Sequence, residues 1–286
     1  MTHFDTIIIG AGFSGLYQLH RCRDDLNLKT LVIEEGSDLG GTWYWNTYPG
    51  ARCDSESHTY GYTFSENIYK NWTWNEKYPK QSKILKYLNY VEKKLNLRKN
   101  ILFNHKIISA KYLERKNLWQ IKTNKNKILF CKYLICAVGS LSAANIPKIK
   151  GLNKYKGKYY HTGKWPKKKV NLKNQVVAQI GTGSSGIQVA PEIAKVVKKL
   201  VIFQRTPNYS IPARNKKLTR EFIINFKKDY EKIKKILKKT PGGHTFSFPN
   251  RSVFDFNDRV RNKIFEKAWS KGSLAFRACF SDITKN

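Results

Sequence analysis

Hydrophobic residues in this chain gather into short runs that end on glycine turns, and longer polar stretches between them carry a helical stripe. Residues 4–9, 30–33, 175–180 and 200–203 are brief, β-branched apolar runs and read as strands. Residues 132–139 read as a further, buried strand closing on small residues, the kind of strand end where open α/β sheets place ligands. Residues 101–109 and 119–123 alternate as strands do. Ile84, Leu85, Leu88, Val91 and Leu95 form one stripe, which predicts a helix over 83–97. Residues 218–237 and 258–269 read as Lys-rich amphipathic helices, joined through Thr240-Pro241-Gly242-Gly243. Alternating strands and helices predict an α/β fold.

Two of the strands open directly into a glycine fingerprint. The first is Gly10-Ala11-Gly12-Phe13-Ser14-Gly15, with a helix expected to about Arg23. Gly10 permits the turn, Gly12 lets the backbone approach a pyrophosphate, and Gly15 lets helix pack on strand. The next strand ends on Glu34 and Glu35, where a carboxylate would accept from ribose hydroxyls. The second fingerprint is Gly181-Thr182-Gly183-Ser184-Ser185-Gly186-Ile187-Gln188, and the strand after it ends on Gln204-Arg205-Thr206. An Arg at that place accommodates a 2′-phosphate, which favours NADP over NAD. Gln179 interrupts the apolar run before this turn and leaves a side-chain amide to satisfy.

Residues 40–54 hold glycines, Trp43, Tyr44, Trp45, Arg52 and Asp54 with no amphipathic period, and read as a loop lining a flat aromatic ligand. Between the two fingerprints, Tyr155, Gly157, His161 and Trp165 are spaced as neither helix nor strand. Two dinucleotide folds, one with an acidic ribose contact and one with a basic phosphate contact, narrow the class to NADPH-dependent flavoproteins.

Composition removes other classes. In 286 residues, 54 Lys+Arg against 20 Asp+Glu give +34, yet the lysines are scattered pairs and short runs with no nucleic-acid-binding motif around them. No nucleic-acid partner is therefore expected. Five cysteines form no CxxC or paired metal spacing, so reduced thiols and no metal site are expected. No apolar stretch approaches the ~18 residues of a membrane span, and a cytoplasmic location is expected.

The segments 10–16, 41–54, 155–166, 181–188 and 204–215 resemble the type I Baeyer–Villiger monooxygenases over essentially the whole chain. Tyr155, Gly157, His161 and Trp165 fit that family's FxGxxxHxxxW fingerprint, with Tyr155 in place of Phe. The resemblance implies two Rossmann-like dinucleotide-binding domains, FAD then NADP, joined by a linker and ending in a helical segment. Its expected bounds are 1–145 for an incomplete FAD domain, 146–169 for the linker with the fingerprint, and 170–286 for an incomplete NADP domain with a helical insertion. It implies a bound FAD reduced by NADPH, reaction with O₂ to a C4a-peroxyflavin, and oxygen insertion into a ketone to give an ester or lactone. Oxygenation at nitrogen or sulfur, or a non-catalytic nucleotide-binding remnant, are the alternatives.

By matching position, the resemblance puts Gly10, Gly12, Ser14, Gly15 and Glu34 on the FAD pyrophosphate and ribose. Thr42, Trp43, Tyr44, Trp45, Asp54 and Tyr60 lie along the rest of that cofactor, and the Ile107 backbone meets its adenine. Thr182, Gly183, Ser184, Ser185, Gly186, Ile187 and Gln188 hold the NADPH pyrophosphate, with Arg205 and Thr206 at the 2′-phosphate. Arg52 and Asp54 face the nicotinamide and are the catalytic candidates, and His161 is assigned either to coupling domain movement to NADP binding or to a structural role. Members of that family are about twice as long. The resemblance therefore places a catalytic arginine and much of the substrate pocket beyond Asn286, in a longer chain or a second one, and leaves Asp54 as a carboxylate in a low-dielectric site without its cation.

Overall fold

The computed structural model describes residues 2–247 and 249–283. Its elements begin with β1 (Thr2–Ile9), α1 (Phe13–His20), β2 (Thr30–Ile33), α2 (Thr42–Trp45), α3 (Glu66–Asn71) and α4 (Gln81–Leu95). Four strands follow, β3 (Ile101–Leu102), β4 (Ile107–Leu113), β5 (Leu118–Thr123) and β6 (Ile128–Cys136). The chain continues through β7 (Val176–Ile180), α5 (Ser184–Ala194), β8 (Lys199–Phe203), α6 (Arg220–Lys228), α7 (Tyr230–Lys239) and α8 (Asp258–Lys271).

Contacts divide the chain into two compact units, one made of the chain up to Ala51 with Gln81–Lys173, the other of Arg52–Lys80 with the chain from Asn174 onward. The bounds read from sequence differ from this division at two places. Residues 52–80 pack with the second unit, and the linker 146–169 packs with the first; residues 284–286 lie outside the described residues.

The first unit is built on a sheet of order β3-β2-β1-β6-β5-β4. β3, β2, β1 and β6 are parallel, as a dinucleotide-binding sheet requires, while β5 and β4 run antiparallel. Ile7, Ile33, Ile121, Leu129 and Cys131 form its buried core, and Phe4, Leu31, Ile107, Trp119 and Leu134 pack against it. Leu16 and Leu19 of α1 and Ile84, Leu88 and Val91 of α4 are buried as well, so the expected α4 stripe is the inward face.

Two strand expectations need correction. The alternation over 101–109 is continuous in sequence, but Asn104 adopts a left-handed φ of 57° and splits it into β3 and β4, at opposite ends of the sheet order. The strand expected to be buried over 132–139 is β6, whose buried residues are Leu129, Phe130 and Cys131, while Tyr133 and Val138 are half exposed. The reason is pairing. β5 covers β6 only over 128–131, and beyond that point β6 has β1 alone.

In the second unit β7 and β8 pair in parallel from Val176↔Lys199 to Ile180↔Phe203, with α5 between them in sequence. Among the described residues this is one βαβ unit of two strands, part of the second dinucleotide-binding domain that the sequence predicts as incomplete. The helix expected over 218–237 breaks at Asp229 into α6 and α7. Just past the break, Tyr230 is buried, its ring lies 4.9 Å from that of Tyr69 on α3, and its hydroxyl donates to the Thr63 carbonyl at 2.8 Å. No helix among the described residues is long and apolar enough to cross a membrane.

Candidate functional site

The first glycine turn is held from both sides. A Cβ added to Gly15 would lie 1.8 Å from the Gly10 carbonyl oxygen, so α1 can start here only on glycine. Gly12 faces Gly41 so closely that a Cβ on Gly41 would come within 2.8 Å of the Gly12 Cα. Glu34, at the end of β2, is buried, and its two carboxylate oxygens accept the Ala11 and Gly36 N–H groups, each at 2.7 Å. A carboxylate offers about four acceptor positions, so these two bonds leave capacity for sugar hydroxyls. Ser14 is exposed in the first turn of α1, where the N–H groups lack intrahelical acceptors. That set suits a pyrophosphate with a ribose beside it.

The aromatic stretch is not the uniform loop expected. Thr42, Trp43, Tyr44 and Trp45 form the single turn α2, with Trp43 buried and Trp45 half exposed. Gly40 N–H donates to the Ala11 carbonyl at 2.9 Å, which ties this turn to the first fingerprint. The Tyr44 hydroxyl lies 2.7 Å from Ser37 Oγ, and Lys167 Nζ sits 3.9 Å from the Tyr44 ring centroid while also donating to the Tyr44 carbonyl. Lys167 follows the fingerprint residues Tyr155, Gly157, His161 and Trp165. There Tyr155 folds onto Gly157, whose added Cβ would meet its hydroxyl at 2.3 Å, and His161 Nδ1 accepts the Gly163 N–H at 3.2 Å, capping a 3₁₀ turn. Ile107 opens β4 and packs on the core of the same unit.

In the second unit the turn from β7 to α5 is open. Added Cβ atoms at Gly181 and Gly183 would meet nothing within 4 Å, whereas one at Gly186 would approach the Gly181 carbonyl oxygen at 2.6 Å. Gln179 Nε2 donates to the Gly181 and Gly186 carbonyls at 3.0 and 3.1 Å, so the polar residue inside β7 braces the turn, while its Oε1 is left without a partner. Thr182 Oγ1 accepts from Gln204 at 2.8 Å and from Asn208 at 3.2 Å, bringing the segment after β8 to the turn. Arg205 and Thr206 are exposed there, and Arg205 makes no ion pair among the described residues. Ser184, Ser185 and Gly186 start α5 with their N–H groups free of intrahelical acceptors, and Ile187 is half exposed.

Gln188 is used differently from the rest of this turn. Its Oε1 accepts the Arg52 N–H at 3.3 Å and its Nε2 donates to the Arg52 carbonyl at 3.1 Å. Arg52 Nη1 lies 3.7 Å from Glu76 Oε2, and Asn215 Nδ2 donates to that same carboxylate oxygen at 3.2 Å. Asp54 is exposed beside a cavity lined by Glu56, Tyr78, His244 and Phe246. The carboxylate expected to be stranded in a dry site thus has water to solvate it. Tyr60 is half buried and donates its N–H to the Glu56 and Ser57 carbonyls at 3.1 Å. Burial pushes the neighbouring Cys53 thiol up to about 12, so it carries no thiolate chemistry. Sequence reasoning missed Glu76, Lys167, Gln204 and Asn208. Only Gln204 had a signal, its place next to Arg205.

Comparison with known proteins bears on both turns. The sequence model described as flavin-binding monooxygenase-like matches residues 5–241. A Baeyer–Villiger monooxygenase of Pseudooceanicola batsensis is 38% identical over 269 residues, covering 94% of this chain and 49% of that protein. The phenazine N-monooxygenase PhzNO1 of Lysobacter antibioticus is 36% identical over 285 residues, covering 99% and 52%. The crystal structure of cyclohexanone monooxygenase from Rhodococcus sp. Phi1 bound to NADP+ superposes with a TM-score of 0.95 at 39% identity, covering 99% of this chain and 53% of that one. The chain spans about half the length of the curated relatives it matches.

Proposed function

Since the chain belongs to the flavin-binding monooxygenase-like family, we propose that it holds FAD and NADPH for a monooxygenase that inserts one oxygen atom of O₂ beside a ketone carbonyl, giving an ester or lactone. The observation that carries this reading is the pairing of two glycine turns of opposite polarity. One is closed by the Glu34 carboxylate, and the other stands beside the exposed Arg205. A carboxylate suits ribose hydroxyls, and a guanidinium suits a phosphate.

Gly10, Gly12, Ser14 and Gly15 take the FAD pyrophosphate and Glu34 its ribose. Thr42 to Trp45, Asp54, Tyr60 and the Ile107 backbone take the rest of that cofactor. Thr182 to Ile187 take the NADPH pyrophosphate, Gln188 ends that stretch with its amide held by the Arg52 peptide, and Arg205 with Thr206 take the 2′-phosphate. When bound, the two coenzymes supply the hydride and the oxygen-transfer chemistry. The protein's own part is to orient them, to offer cations such as Arg52 near developing negative charge, and to keep water away.

Titration of the purified chain with FAD, NADP+ and NAD+ tests the proposal. It expects saturable flavin binding and a preference for NADP+ over NAD+ of about tenfold or more, the worth of one charge-assisted contact. Absence of flavin binding, or equal affinity for the two nicotinamide nucleotides, overturns it. The similarity to a phenazine N-monooxygenase favours oxygenation at nitrogen as the second reading, with sulfur the other soft atom to test. Product analysis with a cyclic ketone, a heteroaromatic amine and a thioether separates them. A protein that binds both coenzymes and oxidises none of the three is a nucleotide-binding remnant.

A further inference from the structure

The Arg52 peptide is gripped on both edges, by backbone on one and by a single side chain on the other. Arg52 and Lys80 form an isolated antiparallel bridge. The bonds of this bridge are Cys53 N–H to the Pro79 carbonyl at 3.0 Å and Gln81 N–H to the Ala51 carbonyl at 2.9 Å. They belong to the residues flanking the bridged pair, so the N–H and C=O of Arg52 itself point to the opposite edge. There the Gln188 amide takes both, accepting from the N–H at 3.3 Å and donating to the carbonyl at 3.1 Å. A side-chain amide carries the same donor and acceptor as a peptide, so Gln188 acts as one residue of a third strand. The two partners are 136 residues apart in sequence, and Gln188 lies on α5 just past Gly186, the last glycine of the fingerprint.

We propose that Gln188 is a positioning residue that couples the dinucleotide turn at the start of α5 to the Arg52–Asp54 strip. Any shift of α5 as an anionic dinucleotide settles on its first-turn N–H groups is passed through a two-bond clasp to the Arg52 backbone. From there it reaches the Arg52 guanidinium beside Glu76 and the Asp54 carboxylate. The coupling rests on the proposed nucleotide site, while the clasp is independent of it, so each can fail alone.

Residue-resolved hydrogen exchange on the full chain, with NADP+ as the probe, separates the two. Gln188→Met keeps the side-chain length but removes both bonds, and Gln188→Glu keeps the acceptor for the Arg52 N–H. In the free protein the Arg52 amide is expected to exchange about tenfold faster in Gln188→Met, as loss of two hydrogen bonds implies, and close to the wild-type rate in Gln188→Glu. A purely packing role predicts the reverse, with Met protected. Equal Arg52 exchange in wild type and Gln188→Met overturns the clasp. If Gln188→Met fails to fold, Gln188→Glu alone decides, because unprotected Arg52 exchange in that folded variant overturns it too. With NADP+, wild type is expected to gain protection at both 183–186 and Arg52, and Gln188→Met at 183–186 only. Protection of Arg52 in Gln188→Met as strong as in wild type overturns the coupling. Absence of protection at 183–186 in wild type overturns the nucleotide site and the coupling with it, leaving the clasp to be judged by the free protein.

Discussion

The two glycine turns have nearly the same sequence spacing but very different surroundings. The first is walled in, with Gly15 against the Gly10 carbonyl, Gly12 against Gly41 and a buried carboxylate fastening Ala11. The second stands open, with free space at Gly181 and Gly183 and exposed Arg205 and Thr206 nearby. The difference teaches that a fingerprint fixes the backbone's path and leaves the depth of the site to what packs around it. A walled turn suits a cofactor that stays, and an open one suits a coenzyme that binds and leaves.

The comparison breaks most sharply at its tightest point. Gly15→Ala forces a Cβ into a backbone carbonyl and is expected to cost about 3 kcal/mol, read as a large fall in the denaturation midpoint together with loss of flavin binding. Glu34→Gln leaves one of the two buried N–H groups facing an amide donor and should cost about 1–3 kcal/mol by the same measurement.

A smaller effect should appear with pH, and in the second unit. His58 packs against Phe222 and Phe226 with ring centroids 5.4 and 5.0 Å away, and burial pushes its pKa below 6.5, with Lys77 adding to that and Glu56 opposing it. The neutral ring is therefore the form that folds. Its stability is present above pH 6.5 and is lost as the pH falls from there through the lower folded value, because the unfolded chain takes up the proton first. Exchange rates around α6 and α7 should rise over that window, and His58→Gln should flatten the rise.

Smallest of all in stability are changes at the open turn. Gly183→Ala and Arg205→Ala should leave the midpoint within about 0.5 kcal/mol of wild type, since the first meets open space and the second removes an exposed cation. Arg205→Ala should nonetheless erase the NADP+ preference in a titration. A stability loss at Gly183 comparable with that at Gly15 would mean the two turns do not differ as described.

Much of this was legible in the sequence because it is local. The apolar runs of β1, β2, β7 and β8, the stripe of α4 and the glycine spacing all follow from neighbours a few residues apart. What failed depended on distant partners. The 101–109 alternation could not reveal that Asn104 turns left-handed, because the turn is fastened by distant residues: the Asn104 and His105 N–H groups donate to the Gly36 and Glu34 carbonyls at 2.9 Å. At the break at Asp229, Tyr230 packs on Tyr69, a contact that no helical stripe encodes.

By itself, the amino-acid order determined that two strand-turn-helix units exist, which one ends on a carboxylate, and which on a guanidinium. Only the tertiary structure decided that Glu34 is buried and bonded while Arg205 is exposed, and that Gln188 closes on Arg52. The physical reason is range. Turn chemistry and periodicity act over a few residues, whereas burial and side-chain pairing are set by whatever part of the chain folds back onto the site.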